Sequence, residues 1–164
     1  MPGSFATLIL LAKEHGTRID IIPVQDFNKL WLIFTEYHKE VSSFSGEMTL
    51  PDKNKFVNFW QEEKKWCFFL TAHNNPIGFV LLQIISQPEA DALEVGAIFV
   101  KKKNRGISSL ELYRKSLEVA TENNIALSSE IALDNEHSVN IFNTLKKKYS
   151  RNTKLAFIKR EIEK

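Results

Sequence analysis

Cysteine is nearly absent from this chain, since Cys67 is the only one among 164 residues. A single cysteine excludes an internal disulfide framework and any multi-cysteine zinc site, and it fits a reducing compartment best. His38, His73 and His137 are scattered, with no pair four residues apart that could share a metal with a carboxylate. We therefore predict a cytoplasmic protein without a metal.

An excess of charge of either sign is also missing. The 22 lysines and arginines against 20 aspartates and glutamates give a net charge of +2. This balance gives no electrostatic reason to expect a nucleic-acid or membrane partner. The cations are bunched locally, at residues 101–103 and 146–148, so any anion that the protein binds should be small.

Long hydrophobic runs are missing as well. The apolar run at residues 5–12 is much shorter than the roughly 20 residues of a membrane-spanning helix, and no basic stretch precedes it. We predict that residues 1–17 are an N-terminal extension packed on the domain. The length and the ordinary hydrophobic (43%) and charged (26%) fractions predict one globular domain over residues 1–164.

The hydrophobic pattern predicts ten elements in the order β-α-α-β-β-β-α-β-α-β. Near-continuous apolar runs indicate buried strands, and apolar residues repeating every three to four positions indicate helices. Three strands follow one another without a helix, which predicts an antiparallel meander in an α+β or mixed α/β fold. Strands are predicted at residues 18–24, 67–72, 77–85, 92–100, 125–133 and 155–162, and helices at 27–41, after 51–52, from 108 to a stop at 123–124, and from 134.

The segment "VKKKNRGISS", residues 100–109, joins a predicted strand to a predicted helix. A helix N-terminus carries unpaired N–H groups and partial positive charge, so it can hold a phosphate. Gly106 would let the backbone approach the anion closely, and Ser108 and Ser109 could cap the helix or donate to it. The alternative is an ordinary lysine-rich surface turn before a helix.

The stretch "KNRGIS" resembles the pyrophosphate loop of the GNAT superfamily of N-acetyltransferases, a Q/R-x-x-G-x-G/A pattern between a strand and a helix. Lys103 stands for the Gln or Arg, Gly106 for the first glycine and Ser108 for the final Gly or Ala. The loop after Val100 is shorter than the usual form in the family. A different alignment starts the motif at Arg105 and leaves a gap after Gly106.

A second stretch, "DNEHSVNIF", is similar to the family's N-x-x-A-x-x-x-Y helix start. Asn135 matches the Asn, Ser138 replaces the Ala, and Phe142 stands where many members carry a tyrosine. The element order from residue 18 to residue 162 also agrees with the family, so most of the chain is covered by the resemblance.

The resemblance implies a mixed, mainly antiparallel sheet flanked by helices, with acetyl-coenzyme A in a gap between strands 92–100 and 125–133. The pyrophosphate would meet the backbone N–H groups of residues 105–109, and the pantetheine arm would pair with the edge of strand 92–100. The residues expected to contact the coenzyme are Ile98, Phe99, Val100, Lys103, Arg105, Gly106, Ile107, Ser108, Ser109, Asn135 and Phe142.

Acetyl transfer to an amine needs a base for the amine and a proton for the leaving thiolate. Glu94 is the candidate base, because some family members carry one at a similar position on this strand; the alternative is a carboxylate that faces solvent or pairs with a lysine. Phe142 has no proton to give. Tyr149 is the candidate acid, with a plain core or surface aromatic as the alternative.

Aromatic residues on the first two predicted helices are mostly core by their spacing. In the GNAT fold these helices border the acceptor groove, so a subset of the aromatics could line it together with Tyr37, Glu40 and Glu47. The aromatics in question are Phe27, Trp31, Phe34, Phe56, Phe59 and Trp60.

The leading hypothesis is an acetyltransferase that moves an acetyl group from acetyl-coenzyme A to a primary amine. The acceptor could be a polyamine-like or aminoglycoside-like molecule, an amino acid or a protein amine, and the chain is expected as a monomer or homodimer. One alternative is a GNAT-fold coenzyme-binding or regulatory module without catalysis. Another is an α+β interaction domain that binds no coenzyme.

Overall fold

The apolar runs of the sequence form the strands of a six-stranded sheet in the computed structural model. This structure describes residues 19–45, 49–105, 107–132, 136–149 and 158–160, so the extension predicted at residues 1–17 lies outside it. The strands follow one another in chain order across the sheet. They are β1 (Ile19–Pro23), β2 (Lys65–Ala72), β3 (Asn75–Ile85), β4 (Ala92–Val100), β5 (Ala126–Ala132) and β6 (Ile158–Arg160).

Strands β1 to β4 are antiparallel neighbours, whereas β5 runs parallel to β4 and β6 runs parallel to β5. The chain turns between β2 and β3 at His73 and Asn74, which have φ angles of 50° and 67°. Positive φ at both central residues is typical of the tight turns that match the twist of a hairpin. The predicted meander and its hairpin are therefore confirmed.

Four helices complete the predicted order: α1 (Phe27–Ser45), α2 (Lys53–Trp60), α3 (Ile107–Glu122) and α4 (Glu136–Tyr149). An aspartate caps each of the first two. Asp26 accepts hydrogen bonds from the N–H groups of Asn28 and Lys29, and Asp52 accepts one from Lys55. A short 3₁₀ turn, Lys102–Asn104, precedes α3. The predicted mixed, mainly antiparallel fold is confirmed.

Two hydrophobic cores lie on opposite faces of the sheet. One packs α3 and α4 against the sheet through Leu112, Leu117 and Leu145, and the other packs α1 and α2 through Leu30 and Phe56. Side chains of both cores come from the same central strands, because successive residues of a strand point to opposite faces. The sheet therefore separates a face covered by α1 and α2 from a face covered by α3 and α4.

The odd-numbered side chains of β4 point to one face of the sheet in the first half of the strand and to the opposite face in the second half. Leu93 and Val95 belong to the core under α3, but Ala97 and Phe99 belong to the core under α1. The register explains the switch, since Leu81 pairs with Ala97 and the next residue of β3 pairs with Val95, which leaves Gly96 as an extra residue. Gly96 is thus a β-bulge at the centre of the sheet.

Candidate functional site

The parallel ladder between β4 and β5 is short. It joins Ala92–Val95 to Ala126–Ser129 and stops there, although β4 continues for five residues beyond Val95. The ladder therefore ends next to the bulge at Gly96. Beyond that point the described residues of the two strands are no longer paired, and we call this unpaired edge of β4 the gap.

The backbone of the second half of β4 faces this gap at alternate residues. The N–H of Lys101 donates to the carbonyl of Ile77 on β3 at 2.8 Å, and Phe99 pairs with Phe79. In an antiparallel ladder, alternate residues direct their N–H and C=O groups to the two edges. The N–H and C=O of Ile98 and the N–H of Val100 accordingly face the gap, where the family resemblance would place the pantetheine arm.

Arg105 is held by groups of the protein itself. Its Nε donates to the carbonyl of Val100 at 2.9 Å, its terminal nitrogen donates to the carboxylate of Glu40 on α1, and its guanidinium lies 5.7 Å from the ring centre of Phe99. Its backbone N–H points to the carbonyl of Lys102 at 3.5 Å. The coenzyme contact of Arg105 stays a prediction, and its side chain has a structural partner that the sequence did not suggest.

Lys101 makes a similar contact with α1, because its Nζ lies 3.7 Å from a carboxylate oxygen of Glu36. Two of the four clustered cations are thus paired with acidic residues one helical turn apart. Lys102 and Lys103 are exposed on the 3₁₀ turn, and we expect them to supply the mobile positive charge near an anion.

The N-terminus of α3 follows the end of β4, as the sequence predicts for the phosphate loop. The helix begins at Ile107, and Ser108 and Ser109 in its first turn are both buried, at 7% and 6% exposure. Gly106 lies outside the described residues, as does the side chain of Ile107. A helix N-terminus carries partial positive charge, which suits an anion, and the coenzyme contacts of Ser108 and Ser109 stay predictions.

The side chains of four further predicted site residues lie outside the described part of the chain. Phe142 lies within α4 and Tyr149 ends it, but their side chains are outside the described part of the chain. Asn135 and Glu47 fall outside the described residues altogether. Their roles stay predictions that rest on the sequence.

Glu94 lies on β4 two residues before the bulge and is paired with Gln83 of β3. Since Leu93 and Val95 point toward α3, Glu94 points toward the face of α1 and α2. Its carboxylate is partly buried and accepts a hydrogen bond of 3.1 Å from the amide of Gln83. This contact fixes the direction of the carboxylate, which is a property that a general base needs.

A cavity of about 370 Å³ lies between α1, α2 and the sheet on this same face. It reaches the bulge, because Gly96 and Ala97 form part of its floor. A Cβ on Gly96 would lie 3.0 Å from the indole ring of Trp60, so the glycine allows the ring to approach the strand. The lining residues are Phe34, Tyr37, Pro51, Lys55, Phe56, Phe59, Trp60, Leu81, Gly96 and Ala97.

The walls of this cavity are mostly aromatic. The ring of Phe34 lies 4.4 Å from that of Phe56, and Tyr37 packs edge-on against Phe79 and Phe99 at 5.7 and 6.1 Å between ring centres. Burial raises the pKa of the Tyr37 phenol above its usual value. The helical spacing of these aromatics assigned them mainly to the core. Residues that line a cavity and residues that fill a core show the same spacing.

Tyr113 is a buried polar residue that sequence reasoning missed. It lies on α3 with only 1% exposure, and burial raises the pKa of its phenol, while the nearby Ser129 hydroxyl and Tyr37 act on it to a smaller extent. Ser129 is the last residue of the β4–β5 ladder. The sequence around Tyr113 gave no sign of a functional role, since a tyrosine among leucines on a helix has the pattern of an ordinary core residue.

Cys67 is buried, and burial raises the pKa of its thiol to about 12 despite the opposing charge of Lys65. The thiol is therefore neutral at ordinary pH and is a poor nucleophile. Among the described residues, no group of three potential metal ligands is brought together. No helix in the described ranges is long and apolar enough to cross a bilayer.

No protein-family model and no curated protein matches the sequence. Solved structures do match. An aminoglycoside acetyltransferase from an uncultured soil metagenomic sample is 13% identical with a TM-score of 0.61, covering 79% of this chain and 87% of the other. A ribosomal-protein-alanine N-acetyltransferase from Brucella melitensis is 19% identical with a TM-score of 0.55, covering 67% and 76%.

A predicted acetyltransferase from Clostridium acetobutylicum, solved with acetyl-CoA, is 12% identical with a TM-score of 0.59, covering 80% of this chain and 88% of the other. At this level of identity the likeness concerns the fold. The chain has the fold of the GNAT acetyltransferases, as the two short motifs and the element order predicted.

Proposed function

We propose that this GNAT-fold chain is an N-acetyltransferase that moves an acetyl group from acetyl-coenzyme A to a primary amine. One observation carries the proposal: the β4–β5 ladder ends at Val95, and the next two residues of β4, Gly96 and Ala97, line the cavity under α1 and α2. A donor that lies along the gap and an acceptor that fills the cavity would reach each other only at this bulge. The two openings thus match the needs of a two-substrate transfer.

The residues around the gap fit the coenzyme. The N–H and C=O of Ile98 and the N–H of Val100 suit an amide-bearing arm, which needs donors and acceptors along an open strand edge. The first turn of α3 and the exposed Lys102 and Lys103 suit a pyrophosphate. When bound, acetyl-coenzyme A supplies an activated acetyl thioester.

Glu94 is proposed as the general base that takes a proton from the attacking amine, directly or through one water. Its hydrogen bond from Gln83 holds the carboxylate on the acceptor side of β4. In the transfer, the amine nitrogen bonds to the acetyl carbon and the carbon–sulfur bond breaks. The nitrogen loses one proton to Glu94, and the sulfur gains one proton. Tyr149 is proposed as the donor of that proton.

The acceptor is proposed to be an amine on a small molecule or a protein. The names of two structural neighbours support this choice, because one is an aminoglycoside acetyltransferase and the other a ribosomal-protein-alanine N-acetyltransferase. We propose a cytoplasmic location from the cysteine content, with no nucleic-acid or membrane partner. A monomer or a homodimer would suit this function equally.

The proposal is tested by thermal unfolding with and without acetyl-coenzyme A, followed by thiol-release assays with an amine panel. A ligand at 100 times its dissociation constant stabilises a protein by about 2.7 kcal/mol, which gives a clear rise in Tm. Gly106→Asp, which adds a side chain and a negative charge at the expected pyrophosphate site, should remove most of the rise. Stabilisation without turnover would indicate a coenzyme-binding module, and no stabilisation at millimolar coenzyme would overturn the proposal.

A further inference from the structure

The wall of the acceptor cavity carries almost no charge. Eight of its ten lining residues are aromatic, aliphatic or proline, and the only polar atom among their side chains besides the Trp60 indole nitrogen is the Tyr37 hydroxyl. Lys55 is the one charged residue among the ten, and it is positive. None of these described lining residues is acidic, so they offer no ion pair to a molecule with several ammonium groups.

The acidic residues nearest along α1 are already engaged. Glu36 pairs with Lys101, and Glu40 pairs with Arg105, so both carboxylates are neutralised by cations of the loop after β4. A polycation entering the cavity would meet the ammonium of Lys55, which would repel it. Glu94 remains on this face, and one carboxylate serves one reacting amine.

From this chemistry we infer that the acceptor is a primary monoamine carried on an aryl-alkyl body, an inference that rests on the proposed function. The cavity volume of about 370 Å³ lies near the lower end of the roughly 300–1,000 Å³ of small-molecule sites. A single ring with a short chain would pack against Phe34, Phe56 and Phe59 and direct its nitrogen toward the bulge.

The same surroundings favour the reactive form of such an amine. An apolar wall and a nearby lysine both disfavour an ammonium group, so they lower the pKa of a bound monoamine and raise its neutral fraction. A polyamine or an aminoglycoside would keep other charged groups that this wall cannot pair. The nitrogen of the neutral monoamine then forms the bond to the acetyl carbon and gives one proton to Glu94, while the carbon–sulfur bond breaks and the sulfur takes one proton from Tyr149 to become a thiol.

The inference is tested by kcat/KM values for 2-phenylethylamine, spermidine and kanamycin with acetyl-coenzyme A, measured by thiol release. We expect kcat/KM for 2-phenylethylamine to exceed the other two by about tenfold or more, since each unpaired charge in a poorly solvated site is costly. A preference for spermidine or kanamycin would overturn the inference while leaving the proposed function intact. Absence of turnover with every amine would instead count against the proposed function.

If no amine is acetylated, equilibrium binding of the amines to the protein still tests the inference. Trp60 lines the cavity, so titration of the protein with 2-phenylethylamine should change the tryptophan fluorescence with a saturable dependence. The same titration with spermidine should produce a weaker or no saturable change. Equal responses, or none for 2-phenylethylamine, would overturn the inference without any assay of activity.

Lys55→Glu tests the role of the cavity in amine preference, and Lys53→Glu is its matched control. Lys55 and Lys53 are both exposed residues in the first turn of α2, but only Lys55 lines the cavity. A glutamate near a helix N-terminus is favourable, so both variants should fold. Lys55→Glu should reduce the preference for 2-phenylethylamine over spermidine by about fivefold or more, whereas Lys53→Glu should leave it unchanged. An equal effect of both would contradict the assignment of the cavity.

Discussion

The guanidinium of Arg105 bridges Glu40 on α1 and the carbonyl of Val100 at the end of β4. The Arg105 and Glu40 side chains are only 23% and 33% exposed, so solvent and salt screen their attraction less than on an open surface. The bridge fastens α1 to the loop that leads into α3. It therefore holds the wall of the acceptor cavity beside the gap proposed for the coenzyme.

Arg105→Ala should lower the free energy of unfolding by about 1–3 kcal/mol, because it leaves Glu40 and the Val100 carbonyl without their donor. Urea denaturation measures this loss. A double-mutant cycle with Glu40→Gln should give a coupling energy of about 0.5 kcal/mol or more. Lys102→Ala, an exposed neighbour on the 3₁₀ turn, should change stability by less than about 0.5 kcal/mol. Additive losses would show that the ion pair is not a stabilising link.

Gly78 lies on β3 opposite Val100, where a Cβ would stand 2.5 Å from the carbonyl oxygen of Phe99. Backbone atoms of β4 would have to move, so Gly78→Ala should cost about 1–3 kcal/mol of stability. Gly96→Ala is the control, because its nearest obstacle is the Trp60 ring at 3.0 Å, which can shift. A smaller loss for Gly78→Ala than for Gly96→Ala, measured by urea midpoints, would contradict this account.

Alkaline pH should destabilise the protein through its buried acids. Burial raises the pKa of Cys67 from 9.0 to about 12 and raises those of Tyr37 and Tyr113 above 10.0. The folded chain then binds more protons than the unfolded chain at alkaline pH. Stability is complete below pH 9.0 and falls as the pH rises toward 12, by up to about 1.4 kcal/mol per pH unit for each group.

Cys67→Ala tests this linkage, since it removes one of the three groups. Unfolding free energies between pH 8 and pH 11 should fall less steeply in the variant than in the parent. Glu89→Gln, an exposed change that involves no buried acid, should leave the slope unaltered. An identical slope in Cys67→Ala and the parent would show that the thiol does not contribute.

The strands could be predicted from the sequence because their signal is local. Strand β4 was predicted at residues 92–100 and is observed at Ala92–Val100. The bulge at Gly96 could not be predicted, since an apolar run buried on both faces has no alternation in which a slip of one residue is visible. Helix α1 extends to Ser45, beyond the predicted end near residue 41, because serines give a weak helical signal.

The candidate site could be predicted only in part, because some of its contacts join residues far apart in the sequence and because helical spacing is ambiguous. The gap followed from the resemblance, and the ladder that ends at Val95 and Ser129 provides an opening there. The pairing of Glu40 with Arg105 joins residues 65 positions apart, so no local pattern encodes it. The family resemblance suggested that a subset of the aromatics lines a groove, but the helical spacing of Phe56 and Trp60 could not select that subset, since it does not distinguish a wall from a filled core.

Glu94→Gln should lower kcat by about 10²-fold or more near neutral pH, with coenzyme affinity nearly unchanged, because the amide cannot accept the proton of the amine. Steady-state kinetics and calorimetric titration of the coenzyme measure the two quantities. Glu89→Gln makes the same chemical change on the exposed connection before β4 and should have no effect on kcat. An unaltered pH–rate profile in Glu94→Gln would remove Glu94 from the mechanism.

The residue that donates a proton to the leaving sulfur can be identified by replacing Tyr37 and Tyr149 separately with phenylalanine and comparing kcat and KM. Tyr37 lines the acceptor cavity, whereas Tyr149 ends α4, seven residues after the position where the family carries its tyrosine. If Tyr149 protonates the leaving sulfur, Tyr149→Phe should lower kcat by about tenfold or more, with little change in the KM of the amine.

Tyr37→Phe keeps the ring against Phe79 and Phe99 and removes only the hydroxyl, so it should mainly raise the KM of the amine. Phe142→Tyr should preserve or raise kcat, because it places a second hydroxyl at the position that is tyrosine in many family members. A large loss of kcat in Tyr37→Phe, with Tyr149→Phe unaffected, would transfer the role of the acid to α1. Activity abolished by Phe142→Tyr in a folded variant would contradict the assignment of α4 to the coenzyme side.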